Sequence, residues 1–169
     1  KFFIFIGSRK IALAALNGNN KILFEKNLFA DDKTYFKDFE NLKRFLDQNI
    51  ILFEKKLDQY IEDINLLIEH DDFITLDVST IYNFEAKYSQ FNQISNYLVS
   101  INDYVVKNIN NYNLIHMIIN KFIIDGKEYF SIPDKIEYKN IFFEIKFIFL
   151  KKIIIQELKK IFAKYEISI

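Results

Sequence analysis

The sequence predicts an α+β fold, and three observations lead to that class. Short apolar runs of strand length alternate with turn residues at the start and in the middle of the chain. Three longer segments repeat an apolar residue every three or four positions, which is typical of amphipathic helices. Half of the 169 residues are apolar, and this supplies enough side-chain volume for a substantial core.

Three predicted strands open the chain. They cover Phe2–Ile6, Ile11–Leu16 and Ile22–Phe29, and turn residues separate them at Gly7–Lys10 and at Asn17–Asn20. Asn and Gly both tolerate a positive φ, so the Asn-Gly pair in the second turn favours a hairpin. An antiparallel three-stranded start to a sheet follows.

A helix is predicted to follow from residue 38. Its stripe of apolar residues is Phe39, Leu42, Leu46, Ile50, Phe53, Leu57, Ile61 and Ile64. Acidic residues interleave with this stripe, and we interpret them as the solvated face of the helix rather than as a metal site. They are Asp47, Glu54, Asp58, Glu62 and Asp63.

The middle of the chain predicts two strands and a second helix. The strands are Ile64–Ile68 and Phe73–Ile81, and the second one alternates apolar and polar residues. A turn at residues 70–72 separates them. The helix of about five turns carries the stripe Ile94, Leu98, Ile101, Val105 and Ile109.

Two more strands and a third helix complete the order β-β-β-α-β-β-α-β-β-α. Leu114–Ile124 is a long apolar strand that ends at the turn Asp125-Gly126, and Ile141–Leu150 is the next strand. The last helix runs from the end of that strand to Tyr165, and Ile167–Ile169 resembles the beginning of a further strand.

Composition excludes several functional classes. Because the chain has no cysteine, a disulfide framework, a thiolate nucleophile and cysteine-ligated zinc are ruled out. The 23 basic residues balance 23 acidic ones, so the net positive charge typical of nucleic-acid binding is missing, and we expect no nucleic-acid partner. The apolar runs Phe2–Ile6 and Ile141–Leu150 are too short to predict a membrane span.

The region Leu114–Gly126 resembles a known family. Its sequence LIHMIINKFIIDG is similar to the Ile-Leu-His-x-x-Pro-x-x-Phe-x-x-Asp-Gly strand of the bacterial cell-division actin homologue FtsA, with Ile119 in place of the proline. Downstream, Pro133, Ile136 and Ile141 match three positions of that family's Pro-x-Gly-Met-x-Gly-x-x-Leu loop. Lys135 and Tyr138 replace its two glycines.

The likeness extends along most of the chain. The segment 53–68 is similar to the FtsA helix and strand that carry Ala-Glu-Lys and Val-Tyr-Val-Ser-Ile. The resemblance implies a partial actin-like subdomain 1A over residues 1–84. It also implies the inserted subdomain 1C, whose strand-helix-strand-strand core is called SHS2, over residues 85–169. In that case Leu114–Ile124 and Phe142–Phe149 lie in one sheet.

The opening hairpin departs from the family pattern. The family has Asp-x-Gly-Thr-x-Lys where this chain has Phe5-Ile6-Gly7-Ser8-Arg9-Lys10, so Phe5 replaces the carboxylate that organises the magnesium of the nucleotide. We interpret Gly7, Ser8 and Lys10 as a degenerate remnant of the phosphate loop. Because the family's later nucleotide-binding domain is also missing from this chain, we expect neither ATP with Mg²⁺ nor any other cofactor.

The loop after the Asp-Gly turn is the predicted protein-interaction surface. It is rich in apolar residues and precedes a proline that stiffens the chain. The candidate residues are Tyr129, Phe130, Ile132, Pro133 and Lys135.

No catalytic or metal site is predicted. His70 and His116 lack the neighbours of a triad or a zinc site, and His116, within an apolar strand, is interpreted as a core histidine. Asp71, Asp72 and Asp77 lack the spacing of an EF-hand loop, so we interpret them as solvated. The phenylalanines of the 142–149 strand are assigned to the core rather than to base stacking.

The last helix allows two interpretations. Its apolar stripe faces a row of lysines that includes Lys159 and Lys160, as a surface-lying membrane anchor requires. Since a helix beside a sheet usually buries its apolar stripe there, the favoured prediction is packing on the 1C sheet. Direct membrane binding is therefore not expected.

The resemblance implies a non-enzymatic function in the cell cycle. It predicts a cytoplasmic divisome protein that is recruited to the inner face of the membrane at the septum. Its partners would be other divisome proteins or further copies of itself, with no small-molecule substrate. Alternatives are a PilM-like scaffold of type IV pilus or secretion machinery, the N-terminal fragment of an actin-like ATPase, and a peripheral membrane protein that uses the last helix.

Overall fold

A computed structural model describes residues 1–29, 39–84, 91–132 and 139–169. The chain divides into two compact units. The first combines Lys1–Asp71 with Ile153–Ile169, and the second is Asp72–Lys152. The fold is mixed, with strands and helices in both units. The boundary between the units falls earlier than the 84/85 boundary expected from the sequence. The last helix belongs to the first unit rather than to the second.

The first unit contains a four-stranded sheet. Its strands are β1 (Phe2–Ile6), β2 (Lys10–Leu16), β3 (Ile22–Phe29) and β4 (Asn65–Ile68), in the spatial order β3-β2-β1-β4. The first three are antiparallel neighbours, and β4 is parallel to β1. The three opening strands and the strand at 65–68 thus follow the predicted pattern.

Local chemistry shapes the turn between β2 and β3. The side-chain oxygen of Asn17 accepts the backbone N–H groups of Asn19 (3.0 Å) and Lys21 (2.9 Å). An asparagine that hydrogen-bonds backbone beyond itself favours a turn over a continued strand. Alternate residues of β1 and β2 are buried, so one face of the sheet supplies the core.

Helix α1 (Glu40–Leu57) covers the buried face of this sheet. The ring centroid of its Phe53 lies 4.6 Å from that of Phe24 and 6.1 Å from that of Phe2. Its buried residues are Leu42, Phe45, Leu46, Ile50 and Phe53. This stripe includes four of the predicted positions and adds Phe45.

The predicted length of this helix was wrong. Asp58 adopts a left-handed conformation with φ of 51° and donates its N–H to the carbonyl of Glu54, which ends the helix. Ile61 and Ile64 are buried as the stripe suggested, but they lie in the extended segment that leads into β4.

Helix α3 (Lys152–Ala163) belongs to the first unit. Its apolar residues Ile154, Leu158, Ile161 and Phe162 are buried. The residues after it pair with the segment before β4, since Ser168 donates to Glu62 O and Ile64 donates to Ser168 O. The expected burial of the stripe is confirmed, but the expectation that it covers the second sheet is not.

The second unit contains a separate four-stranded antiparallel sheet. Its strands are β5 (Ile74–Asn83), β6 (Tyr112–Ile124), β7 (Lys127–Tyr129) and β8 (Asn140–Lys151), in the order β5-β8-β6-β7. The predicted strands at 114–124 and 141–150 are therefore neighbours in one sheet. The short strand β7, absent from the sequence prediction, forms where the turn at Asp125-Gly126 folds the chain back.

Helix α2 (Phe91–Asn108) packs on one face of the second sheet. Ile94 and Val105 of the helix lie in the same buried cluster as β8. Every second residue of β8 enters that cluster, namely Ile141, Phe143, Ile145, Phe147 and Phe149. The assignment of these phenylalanines to the core is confirmed, apart from Phe142, which is only partly buried on the other face.

Among the helices of the described ranges, none is long and apolar enough to cross a membrane.

Candidate functional site

The hairpin between β1 and β2 binds the carboxylate of Glu69, a residue that is distant in the sequence. Glu69 directly follows β4, and its N–H donates to Ile6 O over 2.9 Å because β4 runs parallel to β1. Its side chain reaches the hairpin loop, where Oε2 accepts the backbone N–H of Ser8 (3.2 Å) and the Ser8 hydroxyl (3.4 Å). The N–H and hydroxyl of Ser8, which were predicted as possible donors to a phosphate, thus bind an anionic side chain of the same unit.

Gly7 is required by close approach of its neighbours. A Cβ atom on Gly7 would lie 2.6 Å from two ring carbons of Phe5 and 2.7 Å from Glu69 Oε2. Gly7 is buried, and its N–H donates to Lys10 O over 2.9 Å within the hairpin. The ring of Phe5 therefore covers the glycine from one side, while the carboxylate of Glu69 covers it from another.

Lys10 does not join this cluster. Its Nζ lies 3.8 Å from Glu25 Oε1 and 5.5 Å from the ring centroid of Phe29, both on strand β3. The structure thus brings Gly7 and Ser8 together and places the lysine charge toward β3. Glu69 was missed by the sequence analysis because it is 61 positions from Ser8. The available signal was its position directly after the predicted strand Ile64–Ile68.

The described residues of the predicted interaction loop differ in how far their side chains are exposed. Phe130 is 90% exposed. Tyr129 and Ile132, in contrast, are partly buried against the core of the second unit. Pro133 and Lys135 lie outside the described residues. Within the described part of this loop, only Phe130 offers a large exposed apolar side chain.

Two of the three aspartates between residues 71 and 77 form ion pairs. Asp72 Oδ1 lies 2.7 Å from Lys151 Nζ, and Asp77 Oδ1 lies 3.8 Å from Lys146 Nζ. The hydrogen bond that Lys151 donates to Asp72 raises the pKa of Lys151. Within the described ranges, no three His, Asp or Glu residues come together as metal ligands would.

His116 is exposed, so its interpretation as a buried core histidine was wrong. The β6–β8 register shifts between Leu114 and His116, which indicates a bulge at this point. After the shift His116 lies opposite Ile148, on the face of the sheet away from the buried cluster. His70 lies between β4 and β5.

The face of the second sheet opposite α2 carries charges. Lys121 Nζ lies 2.8 Å from Glu128 Oε1 and 3.3 Å from Glu144 Oε1. The hydrogen bond to Glu128, followed by that to Glu144, raises the pKa of Lys121. Ion pairs between exposed groups contribute little to stability, but they keep this face polar.

A polar cluster links helix α1 to the turn that follows helix α3. Asp47 of α1 accepts hydrogen bonds from Lys164 Nζ (2.8 Å) and from the Tyr165 hydroxyl (2.7 Å). These two bonds lower the pKa of Asp47, the one from Lys164 most. Burial, and then the bond to Asp47, raises the pKa of Tyr165. Asp47 is exposed, as expected for the solvated face of α1, but its two partners near the end of the chain were not predicted.

The outer edge of β5 is the second candidate surface. Phe84 N donates to Lys139 O over 2.8 Å, and the β5–β8 register continues from there to Ile74 without a shift. Backbone groups in an antiparallel ladder point to alternate sides, so even-numbered residues of β5 bond to β8 and odd-numbered residues point outward. The outward residues are Thr75, Asp77, Ser79, Ile81 and Asn83, all exposed.

One end of this edge is already occupied. The hydroxyl of Tyr97 on α2 donates to Ile81 O over 3.0 Å and also hydrogen-bonds the Thr80 hydroxyl. Within the described ranges no strand pairs with the outer side of β5. The free part of the edge therefore runs from Thr75 to Ser79. The sequence predicted this strand and its alternation but gave no signal that it borders the sheet.

No protein-family model matches the chain, and a search of curated proteins returns no match. The resemblance to FtsA rests on the quoted residues and on their order along the chain.

Proposed function

We propose that the chain is an FtsA-like cell-division protein, a non-catalytic module that binds other proteins through its second unit. The observation that carries this proposal is the order strand, helix, strand, strand in one sheet. Strands β5, β6 and β8 with helix α2 have that order, and the family-like segment Leu114–Gly126 forms most of β6 and the turn after it. This is the order that an SHS2 core requires.

The first unit supports the same proposal. Three antiparallel strands are followed by α1 and then by β4, which joins the sheet beside β1. An abbreviated actin-type subdomain would have its opening hairpin followed by these elements. The strand-helix-strand-strand unit begins at β5, so the proposed boundary of the inserted subdomain moves from residue 85 to the start of β5.

The hairpin chemistry supports a function without nucleotide. A phosphate would have to displace the Glu69 carboxylate from the N–H and hydroxyl of Ser8. The ring of Phe5 and the carboxylate also fill the space around Gly7. Two negative groups at one small loop repel each other, which disfavours a second anion there.

Binding through backbone edges and exposed apolar side chains needs no cofactor. The outward groups of β5 provide unpaired donors and acceptors, and an added strand from another protein would satisfy them. Phe130 provides a separate exposed apolar side chain. We propose the edge of β5 as the main contact and the loop with Phe130 as a secondary one.

Localisation in dividing cells tests the proposed function. A fluorescent fusion of the full protein, expressed from its own gene, is expected to form a band at the division site together with FtsZ. Recruitment to a pilus or secretion complex instead would favour the PilM-like alternative. A signal spread through the cell at normal protein abundance would contradict both.

Calorimetric titration with Mg-ATP tests the non-catalytic part. We expect no saturable heat with the wild-type protein. Binding in the micromolar range, about −8 kcal/mol, would overturn this part of the proposal and favour an actin-like ATPase.

A further inference from the structure

The outer edge of β5 differs from the other sheet edges. Strand β3 carries the charged residues Glu25 and Lys26. Strand β4 has four residues, and Ser168 bridges to Asp63 just before it. Strand β7 has three residues, two of them charged. Short strands, charges and a covering segment are common protections of an edge against pairing with another chain.

Within the described ranges, strand β5 has none of these protections apart from the Tyr97 hydroxyl at Ile81. Its ten residues, ITLDVSTIYN, include one charged side chain and neither lysine nor proline. Its register with β8 is regular along the whole strand. Exposed apolar side chains lie at both ends, with Ile74 38% and Ile81 54% exposed. A long, regular and nearly uncharged edge is a template for another strand.

We propose that a second copy of this chain pairs with the outer edge of β5, antiparallel and about a two-fold axis at Val78. In this register Asp77 lies opposite Ser79 of the second copy, and Ser79 opposite its Asp77. Both residues have outward backbone groups, so these two pairs exchange hydrogen bonds across the axis. The four-stranded sheet of the second unit in one copy and the same sheet in the other copy then form one continuous sheet.

The side chains of β5 fit this register. Opposed residues in an antiparallel pair share a face, so Val78 meets Val78 of the other copy and Leu76 meets its Thr80. The carboxylate of Asp77 faces a hydroxyl. Directly opposed Asp77 side chains would occur in the register centred on Asp77, and like-charge repulsion disfavours that register.

These properties favour a second copy over a different partner. In the proposed register, each side chain of β5 meets a compatible side chain of the same strand in the other copy. Because a two-fold axis relates the copies, the same contacts form on both strands. The carbonyl oxygen of Ile81 accepts one hydrogen bond from the Tyr97 hydroxyl and has a second lone pair. It can therefore also accept the N–H of Thr75 of the other copy. The inference rests on the proposed function, because it names the partner of the same edge.

Sedimentation velocity of the full chain tests the pairing. We expect a monomer–dimer equilibrium with a dissociation constant of about 1 to 100 µM, as for a weak interface. Ser79→Pro removes an outward N–H without breaking the bonds to β8, so the folded variant should dimerise at least about tenfold more weakly. Ser79→Ala keeps the backbone donor and is the matched control, with wild-type association expected.

A protein that is monomeric throughout this range would overturn the inference. So would Ser79→Pro dimers as stable as wild type, or equal weakening by Ser79→Ala. A discrete dimer that is insensitive to both changes would place the interface elsewhere on the molecule and overturn the inference as well.

Residue-resolved hydrogen exchange of the wild-type protein covers the case in which Ser79→Pro does not fold. The amides of Leu76, Val78 and Thr80 point to β8 and should be protected at every concentration. The amides of Asp77 and Ser79 should gain protection only as dimer forms. Concentration-independent exchange at these two amides would contradict the pairing. Division-site localisation is scored separately, so a monomeric protein that still forms the band would sink only the pairing.

Discussion

The opening hairpin of the first sheet and the outer edge of the second sheet differ in whether their polar groups have partners. In the first sheet, Glu69 accepts the N–H and hydroxyl of Ser8 at the opening hairpin, and a C-terminal segment bridges beside the start of β4. In the second sheet, the outward backbone groups between Thr75 and Ser79 have no strand partner within the described ranges. Because an exposed strand edge presents a row of backbone donors and acceptors that an added strand can pair with, this edge is the place where another chain can bind.

The largest expected effect concerns the core that holds β5 in place. Phe147 is fully buried, and its ring stacks on that of Phe149. Phe147→Ala should lower the free energy of unfolding by about 3–5 kcal/mol in urea titrations, since it leaves a large cavity. Phe142→Ala is the matched control, because Phe142 is only partly buried and belongs to the opposite face. Equal losses would mean that the two faces are not distinguished as described.

A smaller effect is expected at the hairpin of the first sheet. Gly7→Ala places a Cβ atom 2.6 Å from Phe5 and should cost about 1–3 kcal/mol of unfolding free energy through overpacking. A Cβ at Gly18 would meet nothing within 4 Å, so Gly18→Ala should stay within about 0.5 kcal/mol of wild type. Similar values for the two variants in chemical denaturation would show that the hairpin is less crowded than the distances indicate.

The polar cluster between α1 and the turn that follows α3 predicts a dependence on alkaline pH. Burial raises the pKa of Tyr165, so the folded protein favours the neutral phenol. The stability from this group is complete below about pH 10, the ordinary tyrosine pKa, and is lost as pH rises toward the higher folded value. Unfolding measured from about pH 9 to pH 12 should show a steeper loss for wild type than for Tyr165→Phe. Parallel curves would refute the assigned cause.

The smallest expected effect concerns the Glu69 contact itself. Glu69→Ala frees the amide of Ser8, which should exchange its hydrogen faster, while stability changes by no more than about 1 kcal/mol because the contact is exposed. Ser8→Ala removes the hydroxyl but keeps the N–H donor to Glu69, so amide protection at position 8 should persist. Unchanged exchange in Glu69→Ala would exclude the carboxylate as the acceptor.

Much of the fold follows from local patterns in the sequence. The alternation of β8, with Phe143 and Phe147 on one face, specifies a strand with one buried side. The Asn17-Gly18 pair specifies the turn after β2. These features depend on residues within a few positions of each other, so sequence periodicity and turn chemistry can reveal them.

Other features depend on contacts that periodicity does not contain. The apolar spacing continues past Leu57, but a left-handed residue at Asp58 ends the helix. A bulge places His116 on the exposed face of the sheet, against the surrounding apolar pattern. The site at the hairpin needs Glu69, which reaches Ser8 only because β4 adds parallel to β1. The free edge of β5 depends on the spatial order of strands, which no single strand encodes.

The most direct test of the central claim compares the division-site localisation of Ser79→Pro and Ser79→Ala in fluorescent fusions of equal abundance. If the protein acts at the division site through the outer edge of β5, as proposed, Ser79→Ala forms the wild-type band and Ser79→Pro spreads through the cell. A Ser79→Pro protein that is folded and still forms the wild-type band would contradict the claim.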